Sequence, residues 1–245
     1  RDTFEAVVAA GGNSPFFEML GRENIRTIKI PAFRRDINPL KEFAAFFQVL
    51  NVYIRERPDV IHLNSSKAGG LGALAAFIYK YLPPTTYHLS PTVIFTVHGW
   101  GFLEDRTWPI RKVILFISWL SSHFQDKIIL LDRADFAAAG KFIPARKLTL
   151  IPNGIKEIDF LARADARALL AQKIGHAIGD DTILIGAIAE LTRNKGLTYL
   201  VEAVKLIALQ ATSYKLQAIL IGDGEQKNVL QTEINAEKLD DAIFL

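Results

Sequence analysis

Arg193, Lys195 and Gly196 stand close together, immediately before the stretch "LTYLVEAVKLIALQ", in which Leu197, Leu200, Val201, Val204 and Ala208 recur at helical spacing. A loop of this composition at a helix amino end brings a guanidinium, an ammonium, free backbone N–H groups and the positive helix terminus to one point. Such a point suits a phosphate or a diphosphate. The same residues would also serve as a solvated basic turn.

Three further loops follow apolar runs directly. After "DVIHLN" comes Ser65-Ser66-Lys67-Ala68-Gly69-Gly70, with two hydroxyls, an ammonium and two glycines ahead of a helix. It reads either as an anion cradle or as a helix N-cap with glycines for tight packing. After "TVIFTV" comes His98-Gly99-Trp100-Gly101-Phe102. There the imidazole could act as an acid, a base or a hydrogen-bond donor to substrate, or be a satisfied structural histidine, and the aromatics could floor a sugar-like pocket. After "LQAILIG" comes Gly222-Asp223-Gly224-Glu225, half of a dinucleotide fingerprint, because Lys227 occupies the place of the third glycine of G-x-G-x-x-G. No D-x-D, H-E-x-x-H or close carboxylate–histidine cluster is present, so no metal is expected.

The elements that position these loops are short runs rich in β-branched and aliphatic residues: "EAVVAA", "RTIKI", "DVIHLN", "TVIFTVH", "KIILL", "KLTLI", "TILIGAIA", "LQAILIG" and "AIFL". Most are apolar throughout, as strands covered on both faces are, and helix-length segments separate them. The expected class is therefore α/β, with parallel sheets built from βαβ units. Helices are expected over "PLKEFAAFFQVLNVYIRE", with Phe43, Phe46, Phe47, Leu50 and Tyr53 or Ile54 on one face, and over "LGALAAFIYKYL" and "LTYLVEAVKLIALQ". Loops beyond the carboxyl ends of parallel strands are where such sheets bind ligands. Composition shifts after "LTLIPNGIKEIDF", placing a domain boundary near Ile155: residues 1–155 hold six strands and residues 156–245 three.

With 245 residues, half of them hydrophobic and 22% charged, the chain is long enough for one or two folded domains. It has no cysteine, which excludes disulfides, thiolate metal sites and cysteine nucleophiles and fits a cytoplasmic setting. A net charge of +3 is too small for a nucleic-acid footprint. The amino end has no signal-peptide order and no initiator Met, and the run "VILFISWLSSHF" is shorter than the ~20 residues of a membrane span. That run reads as a core helix, while Arg106, Trp108, Arg111, Lys112 and Trp119 would suit an interfacial helix at a membrane surface.

The ordered set Arg35-Asp36-Ile37-Asn38-Pro39, "RPDVIHLNSSKAGGLGALAA", "TVHGWGF", "LIPNGI", "LTRNKGLTYLVEAV" and "AILIGDGE" resembles the retaining nucleotide-sugar glycosyltransferases of the GT-B class, most nearly glycosyltransferase family 4. The resemblance implies two Rossmann-like domains facing a cleft: an acceptor-side domain, 1–155, and an incomplete donor domain, 156–245. It implies that Arg193, Lys195 and Gly196 hold the diphosphate of a nucleoside-diphosphate sugar, with Lys195 and His98 catalytic. Ser66, Lys67, Gly69, Gly99, Glu190, Gly222 and Asp223 would belong to donor or acceptor loops. The nucleotide-sugar is a substrate, and no cofactor or metal is implied. The partners implied are that donor, a glycan or lipid-linked glycan acceptor and a peripheral membrane contact at the inner face, with no nucleic acid.

Glu190 stands where many relatives have a phosphate-binding Arg, five residues before Lys195. The family's E-x7-E carboxylates and its first strand with a glycine-rich loop are not in the chain, which is expected to be part of a longer one. Two alternatives remain at this point: a non-catalytic nucleotide-binding module, favoured by Glu190, and an NAD-dependent oxidoreductase, disfavoured by the incomplete glycine fingerprint.

Overall fold

The computed structural model describes residues 4–12, 15–34, 38–82, 90–209 and 215–245; Arg35-Asp36-Ile37 of the ordered set lies outside them. The chain divides into two compact units, Arg1–Ile155 and Lys156–Leu245.

In the first unit β1 (Val7–Ala10), α1 (Pro15–Arg22), β2 (Arg26–Lys29), α2 (Pro39–Glu56), β3 (Val60–Asn64) and α3 (Ala73–Tyr81) are followed by β4 (Thr92–Val97), α4 (Trp108–Ser122), β5 (Lys127–Leu130), α5 (Arg133–Ala139) and β6 (Leu148–Leu150). The second holds α6 (Arg163–Ile174), β7 (Ile183–Ile188), α7 (Leu197–Leu209), β8 (Leu216–Ile221), α8 (Lys227–Ala236) and β9 (Ile243–Phe244). Strands pair in the orders β1-β2, β3-β4-β5-β6 and β7-β8-β9, and every pairing is parallel. All the strand runs read from the sequence are strands, so the α/β class holds.

Coverage on both faces is found in the interior strands β4 and β8. β3 alternates instead: Ile61 and Leu63 are buried, while Val60, His62 and Asn64 are exposed. Strands β3 to β6 succeed one another across their sheet, and crossovers between parallel strands are right-handed, so α3, α4 and α5 lie on one face of it. Leu63 and Phe95 point to that face, against Gly72 and Gly69.

Local chemistry starts and stops α2 where the sequence reads it. The Asn38 side chain accepts hydrogen bonds from the Leu40 and Lys41 amides at 3.1 and 3.2 Å, Pro39 takes the first turn, and Arg57 closes the helix with a φ of 49°. The face it buries is rotated from the expected one. Tyr53 is buried and Phe46 and Leu50 pack against the core as expected, whereas Phe43, Phe47 and Ile54 are exposed and Ala45 and Val49 are buried instead. The stripe that packs is the one carrying the small Ala45 and the Tyr53 hydroxyl, which donates to the Gly72 carbonyl at 3.4 Å. Burial raises the pKa of that phenol.

α4 also departs from expectation. Read as a core helix, it buries only Ser122 fully and keeps Ile114, Leu115 and Ser118 partly covered. The remainder of its apolar side chains face solvent. In the second unit Leu197, Val201 and Val204 of α7 pack with Leu191, Leu220, Leu230 and Ile234. Ala208, expected on that face, is exposed because the stripe drifts past it in the last turn.

Candidate functional site

Arg193–Lys195 form one turn of 3₁₀ helix at the exit of β7, entered from Thr192 and left through Gly196, whose φ of 65° is a left-handed value that glycine adopts without strain. The Lys195 amide donates to the Thr192 carbonyl (3.0 Å) and the Gly196 amide to the Arg193 carbonyl (3.2 Å). The Thr192 hydroxyl donates to the Asn194 side-chain oxygen at 2.5 Å. Burial of Leu197 and Val201 then anchors α7, so the loop is held at its amino end. The Arg193 and Lys195 side chains are exposed and have no hydrogen-bond or ion-pair partner among the described residues. Two exposed cations, unpartnered among the described residues, at the positive end of a 13-residue helix make this point receptive to an anion.

The loop after β8 is fastened to this one. The Leu191 amide donates to the Asp223 carbonyl (2.9 Å), the Gln226 amide to the Leu191 carbonyl (2.8 Å) and the Ala189 amide to the Ile221 carbonyl (3.1 Å). A Cβ on Gly222 would meet the Ala189 oxygen at 1.9 Å, and one on Gly224 the Leu191 oxygen at 2.5 Å. The glycines that read as half of a dinucleotide fingerprint are therefore needed for one loop to lie against the other. Asp223 accepts from the Gly224 amide at 3.0 Å, and its carboxylate lies 4.0 Å from Lys227. Glu190 is exposed in the loop that follows β7, its carbonyl accepting from the Thr192 amide at 2.8 Å.

In the first unit, the loops after β3 and β4 leave neighbouring strands at the same end. Ser65 has a φ of 87°, Ser66 begins the next helical turn, and Ala68–Gly72 form a π-type turn leading into α3. Gly69 lies so close to Phe95 that a Cβ would fall 2.5 Å from its ring, which makes its role one of packing. The buried Gln125 side chain donates to the Gly69 carbonyl at 2.8 Å. Lys67 does not offer its ammonium to an anion as the sequence suggests: it donates to Glu42 at 2.6 Å and to the Arg34 carbonyl, and lies 5.8 Å from the Phe33 ring centre. Glu42 from α2 already balances that charge.

His98 is exposed just beyond β4, followed by Gly99 with a φ of 121°. Its Nε2 lies 3.4 Å from the Asn64 side-chain oxygen, a long contact that points the ring toward the end of β3. On the same sheet face the His62 Nε2 is 2.7 Å from the Thr96 hydroxyl. Burial, and secondarily the neighbouring His98, lowers the His62 pKa. The expected aromatic floor is absent from this loop. Trp100 and Phe102 are buried, stacked with ring centres 5.3 Å apart and edge-on to Phe142, and the Trp100 indole donates to the Asp135 carbonyl at 3.2 Å. Their bulk is what seals the core below α4.

The structure thus gathers Arg193, Lys195 and Gly196 with Gly222 and Asp223 in the second unit, and His98 and Gly99 with the Ser66 loop in the first. Sequence reasoning missed Asn64 and Thr192. The first was signalled only by its place two residues after His62 on an alternating strand. Among the described residues no group of three or more His, Asp or Glu could hold a metal ion, and no helix is long and apolar enough to cross a membrane.

Comparison with known proteins gives these loops a context. An Escherichia coli UDP-Gal:alpha-D-GlcNAc-diphosphoundecaprenol alpha-1,3-galactosyltransferase is 25% identical over 222 residues, covering 88% of this chain and 54% of that protein. The Staphylococcus aureus capsular polysaccharide biosynthesis glycosyltransferase CapM is 24% identical over 80% of this chain and 49% of its own length. The chain thus spans about half the length of these curated relatives. Among solved structures, Anabaena HepE, crystallised with UDP and glucose, shares the fold at a TM-score of 0.71, with 20% identity, 98% of this chain and 60% of that one covered. The model of Glycosyltransferase Family 4 matches residues 3–157, well over half of the sequence. On that match, the chain belongs to Glycosyltransferase Family 4, with a GT-B glycosyltransferase fold.

Proposed function

We propose that the protein transfers a sugar from a nucleoside-diphosphate sugar to a hydroxyl of a glycan or lipid-linked glycan, and that the Arg193–Gly196 loop holds the donor diphosphate. The observation that carries this reading is the pair of exposed cations, unpartnered among the described residues, at the amino end of α7, braced by the Gly222–Gly224 loop. When the bond from the anomeric carbon to the diphosphate breaks, negative charge builds on the departing oxygens. Lys195, Arg193 and the helix terminus meet that charge without a metal ion. His98 serves the transferred sugar or its acceptor, with Asn64 orienting its ring, and the anomeric configuration is retained.

Two printed names support the substrate classes: one relative is a UDP-Gal:alpha-D-GlcNAc-diphosphoundecaprenol alpha-1,3-galactosyltransferase, and HepE was crystallised with UDP and glucose. A lipid-linked acceptor also supports work at the inner face of a membrane from the cytoplasmic side, through a peripheral contact. Glu190, an acid five residues before Lys195 in the same loop, supports the second reading, in which the chain binds a nucleotide and turns nothing over.

Thermal melts of this chain with UDP, GDP, ADP and NAD test the proposal. Saturating one nucleoside diphosphate at a hundred times its Kd should add about 2.7 kcal/mol of stability. A shift with one nucleoside diphosphate and none with NAD supports the donor site, and release of that nucleoside diphosphate from its sugar nucleotide on adding an acceptor separates transfer from binding alone. A shift with NAD alone, or with no nucleotide, contradicts it.

A further inference from the structure

α2 carries a second apolar stripe on the side away from the core. Leu40 is 83% exposed, Phe43 67%, Phe47 50% and Ile54 46%. With the half-buried Leu50 they follow a strict three-four spacing, and the four exposed side chains fall within about 60° of one another round the helix. Val49, in the middle of the buried stripe, lies on the opposite side. The outer rings are already ordered. Phe43 and Phe47 meet edge-on with ring centres 4.8 Å apart, and Phe47 meets Phe46, which packs on the core, at 5.2 Å. The residues flanking the stripe, Ala44, Phe46, Asn51 and Tyr53, are uncharged. Glu42 and Glu56 are drawn aside by Lys67 and Arg26, and Lys41 and Arg55 lie ~100° or more round the helix from the middle of the stripe.

We propose that this stripe is a dimer interface: α2 of one copy packs antiparallel on α2 of a second copy, about a two-fold axis at Phe47. Phe47 then meets its counterpart, Leu40 of each copy meets Ile54 of the other, and the small Ala44 leaves room for Leu50. A three-four repeat is the seam by which one helix pairs with another, and an 18-residue helix, about 27 Å long, presents more than two heptads of it. Antiparallel pairing sets the positive end of each helix beside the negative end of the other, and the uncharged flanks oppose no like charges. The four exposed side chains offer roughly 450 Å² of apolar surface per copy, so pairing buries roughly 900 Å² from them alone, and with the rim the total exceeds the ~1,000 Å² that marks a specific interface. The stacking of Phe43 on Phe47 within one copy lowers the cost of ordering them in the pair. A lipid surface suits a broad apolar face edged by cations, whereas this seam is narrow and its edges are neutral.

Sedimentation of the 245-residue chain between ~1 and ~100 µM tests this. The parent should move toward twice the monomer mass across that range. Phe47→Glu, which sets two like charges face to face at the axis, should weaken association at least roughly tenfold, and Phe43→Ser/Phe47→Ser should stay monomeric. These side chains are exposed in a single copy, so the melting curves of the variants at low concentration should match the parent's. The chain has no cysteine, so a single introduced one reports the geometry. Phe47→Cys should give a disulfide-linked dimer on mild oxidation, and Leu40→Cys, whose two copies would lie about 21 Å apart along the pair, should not. Lys195→Ala should associate like the parent, so loss of nucleotide binding and loss of association are separable. A monomeric parent would overturn the proposal, and flotation with lipid vesicles would then give the stripe to a bilayer. Association unchanged in Phe43→Ser/Phe47→Ser, or crosslinking through Leu40→Cys, would overturn it as well.

Discussion

Gly222 lies against Ala189 so closely that a side chain there would place its first carbon 1.9 Å from the Ala189 carbonyl oxygen. That contact ties the exit of β8 to the exit of β7 and fixes where the Arg193–Gly196 turn begins. Gly222→Ala should therefore push the two loops apart, costing about 1–3 kcal/mol, the usual range for overpacking. Melting of the variant with and without a nucleoside diphosphate checks this: the expected result is a lower Tm together with a smaller ligand shift. An unchanged shift would mean that the β8 loop does not brace the site.

The π-type turn at Ala68–Gly72 depends on a side chain from far along the sequence. Gln125 is buried and donates to the Gly69 carbonyl, while its own carbonyl and that of Ser122 accept from the Lys147 ammonium at 2.8 and 2.7 Å. Gln125→Leu keeps the volume and leaves the Gly69 oxygen without its donor. The loss should be about 1–3 kcal/mol, the cost of an unsatisfied buried acceptor, read as a lower Tm. Burial lowers the Lys147 pKa, in keeping with an ammonium taken from water to satisfy these carbonyls.

His62 gives the first unit a pH dependence. Its folded pKa lies below the ordinary value near 6.5, so the folded state binds this proton less well than the unfolded state. Its contribution is fully present above that ordinary value and is lost as pH falls through the folded pKa. The fall in Tm between about pH 7.5 and 5 should thus be shallower in His62→Gln, which retains a partner for Thr96, than in the parent. Parallel slopes would show that His62 titrates alike in both states.

Much of the fold was legible because hydrophobic runs and helix-length spacers are local signals. The strands were found by this route, as was α2, whose Asn38-Pro39 start is written in the sequence. Short elements were not: α1, α5 and α8 bury too few residues to set a period, and α6 buries none fully and is helical by its alanine and charge content alone. The loops were found because they follow strands, yet their use depends on distant residues. Nothing near Lys67 announces that Glu42 will neutralise it, and nothing in "HGWGF" shows that Trp100 and Phe102 turn inward onto Phe142 while His98 turns out. The family match favours transfer over the oxidoreductase alternative, and the contact of Gly222 with Ala189 supplies a packing reason for the glycines that had suggested NAD.

The central claim is that Lys195 holds the donor diphosphate, and calorimetric titration of the parent and of Lys195→Ala with the nucleoside diphosphate selected by the melting panel tests it most directly. Lys195 is exposed and unpartnered among the described residues, so the substitution should leave the Tm of the free protein unchanged. Losing one charge-assisted contact of about 1.5–3 kcal/mol should weaken binding roughly ten- to hundredfold. Equal affinity in the two proteins would contradict the assignment of the Arg193–Gly196 loop as the diphosphate site.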